Sequence, residues 1–248
     1  MNRPALVLVH GLIGSANYYA PERRVSAAAV HSIELLGYGV NANEPHDRLT
    51  LAAQAEHVVE QMARRKLTRA WLLGHSMGGA IVMMAAARYP ERVSGIINVE
   101  GNFTLKDAFW SQKIIAKNLA AWAEQYEADA RDLSQTADDW GIAPTPERLE
   151  WIRAILDFQS AATIYAMAQA IVRETAVPEY LESVRTVLNR GIPIHLAAGA
   201  RSAADWDVPD FVRAAARSYS EIPDAGHLMM LEQPEAFCRA LDAIIQSS

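Results

Sequence analysis

The segment Gly74-His75-Ser76-Met77-Gly78-Gly79 constrains the fold of this 248-residue chain more than any other part of the sequence. An apolar run, Ala70–Gly74, precedes the serine, and an apolar helical pattern, Ser76–Tyr89, follows it. The segment therefore predicts a sharp turn from a buried strand into a helix, with the serine hydroxyl exposed above a sheet. Glycines flank the serine because a Cβ there would clash with the neighbouring strand and helix. A serine that only caps the helix is the alternative, but the strand-to-helix context favours a nucleophile.

Short apolar runs alternate with helical patterns along most of the chain, which predicts βα units and a parallel sheet. The predicted strands are Ala5–His10, Val30–Leu35, Ala70–Gly74, Val93–Val99, Ile192–Ala198 and Tyr219–Ile222. The predicted helices outside the middle of the chain are Thr50–Lys66, Ser76–Tyr89, Pro209–Arg217 and Pro234–Gln246. Residues 103–189 carry helical periodicity without a convincing strand. They are predicted to form a helical cap, inserted into an α/β core made of residues 1–102 and 190–248.

Composition excludes several classes of function. With 23 Lys and Arg against 29 Asp and Glu, the net charge is −6, which argues against a nucleic-acid surface and against docking to anionic lipid. The one cysteine, Cys238, excludes an internal disulfide and a cysteine-rich metal site. The apolar run near the N-terminus is too short for a transmembrane helix and lacks the pattern of a signal peptide. We expect a cytoplasmic protein that binds a small molecule, not nucleic acid or membrane, and leave a homodimer open.

Two further motifs could assist a serine nucleophile. His10-Gly11-Leu12 follows the first predicted strand, and the backbone N–H groups of Leu12 and Met77 are candidates for stabilising an oxyanion. Asp224-Ala225-Gly226-His227 precedes the last helix, and His227 is the best placed of the seven histidines to act as a general base. His10 is expected to have a structural role, and His75 is expected to point away from the site.

These motifs together resemble the α/β-hydrolase family over roughly residues 4–102 and 190–246. The matching pieces, in order, are His10-Gly11, Glu34-Leu35-Leu36-Gly37-Tyr38-Gly39, the serine turn, Tyr89-Pro90-Glu91-Arg92-Val93 and Gly226-His227. The resemblance implies a mostly parallel sheet of about six strands, flanked by helices and carrying a helical cap. It also implies Ser76 as nucleophile, His227 as base and the Leu12 and Met77 amides as oxyanion hole, with no metal or organic cofactor. Only four residues precede Ala5, so the antiparallel hairpin with which many relatives begin is expected to be absent.

The chain departs from the family pattern at the third member of the triad. The family most often has an aspartate in a Gly-x-x-Asp turn, but the turn here reads Gly199-Ala200-Arg201-Ser202. Glu100, at the end of the Val93–Val99 strand, is one replacement, because a carboxylate at the tip of an apolar strand is costly unless it is paired. Asp205 is the other, although Asp205 and Asp207 also have a simple explanation as helix caps. We favour Glu100 and keep Asp205 as the alternative acid.

The predicted cap contains four of the six tryptophans of the chain. Most of its aromatic residues are expected to form its own core, while Phe103 and Trp110, together with Leu228 beside the base, are predicted to line the substrate pocket. Arg201 is the one cation near the predicted site that could bind an anionic group. A solvent-facing ion pair is the interpretation that we favour for it.

The combined motifs predict a serine hydrolase that cleaves carboxylic esters or thioesters of a largely apolar small molecule through an acyl-enzyme. C–C bond hydrolases and haloperoxidase-like members of the family share these motifs and stay open as alternatives. Ser76 excludes the aspartate nucleophile of epoxide hydrolases and dehalogenases. An alternative of a different class is a ligand receptor that keeps the fold with little turnover, against which the intact set of motifs argues.

Overall fold

The computed structural model describes residues 3–247 and contains a six-stranded sheet in which all neighbouring strands are parallel. The strands are β1 (Ala5–Val9), β2 (Ala29–Ile33), β3 (Ala70–His75), β4 (Val93–Val99), β5 (Ile194–Gly199) and β6 (Ser218–Ile222). All six predicted strands are confirmed, with ends that differ by at most two residues. The inner strands β1, β3, β4 and β5 are nearly continuous apolar runs because helices cover both faces of the sheet.

The strand order β2-β1-β3-β4-β5-β6 determines where a ligand can bind. The chain moves outward from β1 to β2 and then returns to the other side of β1, so the order reverses between β1 and β3. In open parallel sheets, ligands bind beyond the carboxyl ends of the strands at such a switch point. His10-Gly11-Leu12 follows β1 and Ser76 follows β3, so the fold places the two motifs on either side of this crevice.

Helices pack on both faces of the sheet. In chain order they are α1 (Pro21–Arg24), α2 (Leu51–Arg64), α3 (Met77–Arg88), α4 (Phe109–Ile115), α5 (Leu119–Arg131), α6 (Leu133–Asp139), α7 (Pro146–Leu156), α8 (Ala161–Thr175), α9 (Pro178–Asn189), α10 (Asp210–Ala215), α11 (Met229–Glu232) and α12 (Pro234–Gln246). One layer contains α2, α3 and α9, and the opposite layer contains α1 and α12. The Thr50 hydroxyl accepts a hydrogen bond from the Ala53 amide and caps α2.

The segment between β4 and β5 is helical throughout, as the sequence predicts. Helices α4 to α8 pack on one another, and buried residues such as Trp122, Tyr126 and Ile152 join the same apolar cluster as the core helices. The last helix of the segment, α9, packs against α3. The predicted cap, residues 103–189, therefore includes one helix that lies in the layer of the core. Within residues 3–247, no helix combines the length and the apolar character that crossing a membrane requires.

Candidate active site

Ser76 joins β3 to α3 in a backbone conformation that residues other than glycine rarely adopt, with φ 52° and ψ −120°. Its N–H donates a hydrogen bond to the carbonyl of Val99 (3.0 Å), and its carbonyl accepts one from the N–H of Gly79 (2.9 Å). A Cβ on Gly78 would overlap the carbonyl oxygen of Val9, so glycine is required where α3 crosses the end of β1. The tight turn thus holds Ser76 in a strained conformation, as is common for residues at functional sites.

Glu100 and His227, which are 127 residues apart in the chain, form a hydrogen bond. The Nδ1–H of His227 donates to Oε2 of Glu100 at 2.7 Å. The other carboxylate oxygen, Oε1, accepts from the Gly199 N–H (2.8 Å) and from the Ser202 hydroxyl (2.6 Å). Burial alone would raise the pKa of Glu100, but the hydrogen bonds and the interaction with His227 outweigh it and lower the pKa below its ordinary value. The carboxylate is therefore ionised and fully hydrogen bonded.

This arrangement selects one form of the imidazole. Because Nδ1 donates to the carboxylate, Nε2 of neutral His227 is left as the acceptor. Asp205, the alternative acid, is exposed at the end of the short 3₁₀ turn Ala203–Asp205. In the part of the chain that the structure describes, Glu100 and not Asp205 contacts His227.

The loop after β1 is held from both sides. The Tyr38 hydroxyl donates to the carbonyl of Leu12 at 2.7 Å, and the Gly14 N–H donates to Oε1 of Gln159 in the cap at 3.1 Å. Met77 is the first residue of α3, where the backbone N–H has no partner inside the helix. Among residues 3–247, neither the Leu12 N–H nor the Met77 N–H has an acceptor. Both amides are therefore free to bind an anionic oxygen.

A cavity of about 370 Å³ lies beyond the ends of β1 and β3. Ser76, His227 and Leu12 line it from the side of the core. Its remaining walls are mainly apolar and aromatic, with contributions from the cap and the neighbouring loops: Ile13, Tyr18, Tyr19, Phe109, Trp110, Trp140, Ile155, Ile171, Leu228 and Met230. The charged residues in the described part of the wall are Lys113, Asp107 and Asp139. A cavity of this size and character accommodates a small, largely apolar molecule.

Of the three residues predicted to contact substrate, Trp110 and Leu228 line the cavity. Trp110 meets Trp140 edge to face, with ring centroids 6.1 Å apart. Phe103 is fully buried, stacks on Trp206 at 6.0 Å and does not belong to the lining. The expectation that Phe103 contacts substrate is therefore corrected: its ring packs in the core below the cap.

His75 is closer to the site than the sequence analysis expected. It lines the cavity, and its Nε2–H donates to the backbone carbonyl of His227 at 2.9 Å. The two imidazole rings lie 4.6 Å apart. Burial, followed by the nearby His227, lowers the pKa of His75 to about 3, so the ring stays neutral near pH 7. His75 thus connects the serine turn to the loop that carries the base.

A hydrogen-bonded network around Glu232 could not be foreseen from the sequence. The buried Glu232 carboxylate pairs with Arg201 and accepts the N–H of Gly226 at 2.7 Å, directly before His227. Arg201 also donates to the carbonyl of Gly141 (3.3 Å), and Arg148 of α7 donates to the carbonyl of Glu232 (2.8 Å). Arg201 forms an ion pair, as favoured, but its partner is buried and the pair is therefore not wholly solvent-facing. This pair links the cap to the loop of the base. Within residues 3–247, no group of three or more His, Cys, Asp or Glu is placed to hold a metal ion.

Comparisons with known sequences identify the family of the chain. The model of the alpha/beta hydrolase family matches residues 6–240. The 2-succinyl-6-hydroxy-2,4-cyclohexadiene-1-carboxylate synthase of Serratia proteamaculans (strain 568) is 27% identical over 249 residues, covering 97% of this chain and 92% of that protein. The protein named "Putative carbamate hydrolase RutD" of Caulobacter sp. (strain K31) is also 27% identical, covering 97% of this chain and 90% of that protein.

Solved structures with the same fold include esterases. A carboxylesterase structure from Nitrososphaera gargenis superposes with a TM-score of 0.75 at 18% identity, covering 99% of this chain and 92% of that chain. A thermophilic esterase from Thermogutta terrifontis, with malate bound, gives a TM-score of 0.73 at 20% identity, with 99% and 90% covered. At these identities the likeness establishes the fold.

Proposed function

The chain belongs to the alpha/beta hydrolase family, and on that premise we propose that it is a serine hydrolase that cleaves carboxylic esters or thioesters through an acyl-enzyme. One observation carries the proposal. Glu100 holds His227 by a hydrogen bond to Nδ1, and Ser76 and His227 line the same cavity. Nucleophilic catalysis by serine requires a base that is fixed in one tautomer and shares a cavity with the serine, and this arrangement supports the proposal.

In the acylation step, the Ser76 oxygen attacks the carbonyl carbon of the substrate while Nε2 of His227 takes the hydroxyl proton. The negative charge that forms on the carbonyl oxygen is stabilised by the free N–H groups of Leu12 and Met77. The ionised Glu100 stabilises the imidazolium. When the intermediate collapses, the bond to the leaving group breaks and His227 returns the proton to the departing alcohol or thiol.

Deacylation repeats the same steps with water as the nucleophile. His227 takes a proton from water, the resulting hydroxide attacks the acyl carbon, and the same two amides hold the new oxyanion. The Ser76 oxygen then leaves and regains its proton from His227. The products are a carboxylic acid and free enzyme, so the cycle needs no reactant other than water.

The cavity wall supports a substrate without net charge. Lys113 is the only lysine or arginine in the described wall, and Asp107 and Asp139 are there as well. A ligand with two carboxylates would therefore find a cationic partner for one of them at most in this wall. The relative from Serratia proteamaculans is named for a compound with a succinyl group and a carboxylate, for which this wall is poorly suited. A neutral ester or thioester with a small apolar acyl group fits the wall better.

The test combines covalent labelling with turnover. We expect a fluorophosphonate to add one adduct to the wild-type protein, measured by intact mass, and no adduct to Ser76→Ala. We expect hydrolysis of p-nitrophenyl esters from acetate to octanoate, or of the matching thioesters, by the wild type alone. Folded wild-type protein that is neither labelled nor active would favour the receptor interpretation. Labelling without hydrolysis of any ester or thioester would leave a serine enzyme but contradict the proposed substrates.

A further inference from the structure

Ser202 occupies the position at which the family's Gly-x-x-Asp turn most often has the triad acid. It does not line the cavity. Instead, its hydroxyl donates to Oε1 of Glu100 at 2.6 Å, across a sequence separation of 102 residues. The carbonyl of Gly199 lies at a longer distance, 3.3 Å, from the same hydroxyl. Ser202 thus stands where the family most often has the triad acid, and it binds the carboxylate of Glu100, the acid proposed for this chain.

The geometry of Glu100 shows why such a donor matters. Glu100 is buried and has a positive φ of 40°. A glutamate side chain has more rotatable bonds than an aspartate, so fixing its carboxylate costs more conformational entropy. The Gly199 N–H and the Ser202 hydroxyl both bind Oε1, the oxygen that faces away from His227. Two donors on Oε1 fix the plane of the carboxylate and direct Oε2 towards Nδ1 of the imidazole.

We propose that Ser202 is a positioning residue that holds Glu100 in place and stabilises its negative charge during turnover. The proposal rests on the serine hydrolase function proposed above. Because Ser202 acts through Glu100 and does not contact the substrate, its loss should lower kcat and leave KM nearly unchanged.

A second consequence concerns the dependence of activity on pH. The titratable groups that interact with Glu100 include His227, His75 and Tyr219. Burial lowers the pKa of His75 to about 3 and raises the pKa of Tyr219, so neither changes its charge between pH 5 and pH 8. Nδ1 of His227 donates directly to Glu100. Removal of the Ser202 hydrogen bond leaves the Glu100 carboxylate less stabilised, so it binds a proton more readily, which moves the acid limb of kcat/KM to higher pH.

The experiment compares Ser202→Ala, Ser202→Thr and the matched control Ser183→Ala. Ser183 also donates one hydrogen bond, to the carbonyl of Glu179 in α9, away from the cavity. For Ser202→Ala we expect kcat to fall about tenfold, since a hydrogen bond to a charged group is lost, with KM within about twofold of wild type. The acid limb should move up by about half a pH unit or more. Ser202→Thr keeps a hydroxyl and should restore most of kcat and the original acid limb, and Ser183→Ala should match the wild type.

Two outcomes would overturn the proposal. One is a folded Ser202→Ala variant with the kcat and pH profile of the wild type. The other is an equal loss of kcat in both Ser202 variants without a displaced acid limb, which would indicate a purely steric role. An NMR titration of the Glu100 carboxyl group needs no turnover, and its midpoint should move to higher pH in Ser202→Ala. Failure of the proposed function is recognised separately, because the wild type itself would then resist the fluorophosphonate and hydrolyse no ester or thioester.

Discussion

Replacement of Glu100 by glutamine keeps the shape of the buried side chain and changes one carboxylate oxygen into an NH₂ group. The Gly199 N–H can only donate, so the amide oxygen of the glutamine must stay opposite it. The NH₂ group then faces Nδ1 of His227, where it donates instead of accepting. His227 must therefore accept at Nδ1 and carry its proton on Nε2. In that tautomer the imidazole cannot take the proton of Ser76.

The size of the effect follows from this reversal of the tautomer. In a serine protease triad, the corresponding exchange of aspartate for asparagine lowers kcat by about 10⁴. At about 1.36 kcal/mol for each factor of ten, this is roughly 5 kcal/mol of lost transition-state stabilisation. Because Glu100 is buried and accepts hydrogen bonds on both oxygens, we expect a loss of about 10³–10⁴ in kcat/KM for Glu100→Gln.

The assay is the initial rate of p-nitrophenyl butyrate hydrolysis near pH 8, together with the rate of fluorophosphonate labelling. Both rates should fall in parallel, since both depend on activation of Ser76. Asp205→Asn is the matched control, because Asp205 is exposed and does not contact His227, and it should keep wild-type rates. Thermal unfolding shows whether each variant folds. A folded Glu100→Gln within tenfold of wild type, or a loss of orders of magnitude in Asp205→Asn, would refute the assignment of the acid.

Three further predictions concern stability and selectivity. Gly78→Ala should lower the free energy of unfolding by about 3 kcal/mol, measured with urea, because its Cβ meets the Val9 carbonyl and the backbone cannot yield; unchanged stability would contradict the tight packing. Burial lowers the pKa of His75 to about 3 and of His10 to about 4, so below about pH 6.5 the unfolded chain binds protons that the folded chain does not. As the pH is lowered from 6.5 to 4, the free energy of unfolding should therefore decrease by up to about 2.7 kcal/mol per pH unit, since two histidines contribute. The decrease should be less steep in folded His75→Gln. Trp110→Ala should lower kcat/KM about tenfold for aryl esters of long acyl chains and about twofold for acetates, and equal losses would exclude Trp110 from selectivity.

The fold could be predicted from the sequence because its information is local. Strands that helices cover on both sides are continuous apolar runs, and Val93–Val99 was predicted with the ends that the structure shows. The boundary of the cap was harder to predict. Only two residues lie between the end of α8 and the start of α9, and only the three-dimensional packing shows that α9 lies against α3.

The residues of the candidate site also differ in how readily the sequence reveals them. Ser76, His227 and the two amides lie in short motifs that a reader of the sequence can find. Glu100 was favoured as the acid because of a physical conflict, since a carboxylate at the end of a buried strand needs a partner. No local pattern could show that Phe103 packs on Trp206. The pair of Arg201 and Glu232 was equally hidden, because charged residues are common in loops and their partners depend on the tertiary fold.

The hydrogen bonds from Arg148 and Arg201 that join the cap to the segment around Glu232 have a consequence for protein engineering. Exchange of the cap for that of a relative is a direct way to alter substrate preference, because the cap supplies most of the aromatic wall. In this chain the exchange also removes an anchor of the His227 loop. Even with a well-shaped pocket, a chimera would hydrolyse its substrate slowly unless the new cap also contains an arginine equivalent to Arg148. In this molecule, a change of the cap is therefore expected to alter both the shape of the pocket and the position of the proposed base.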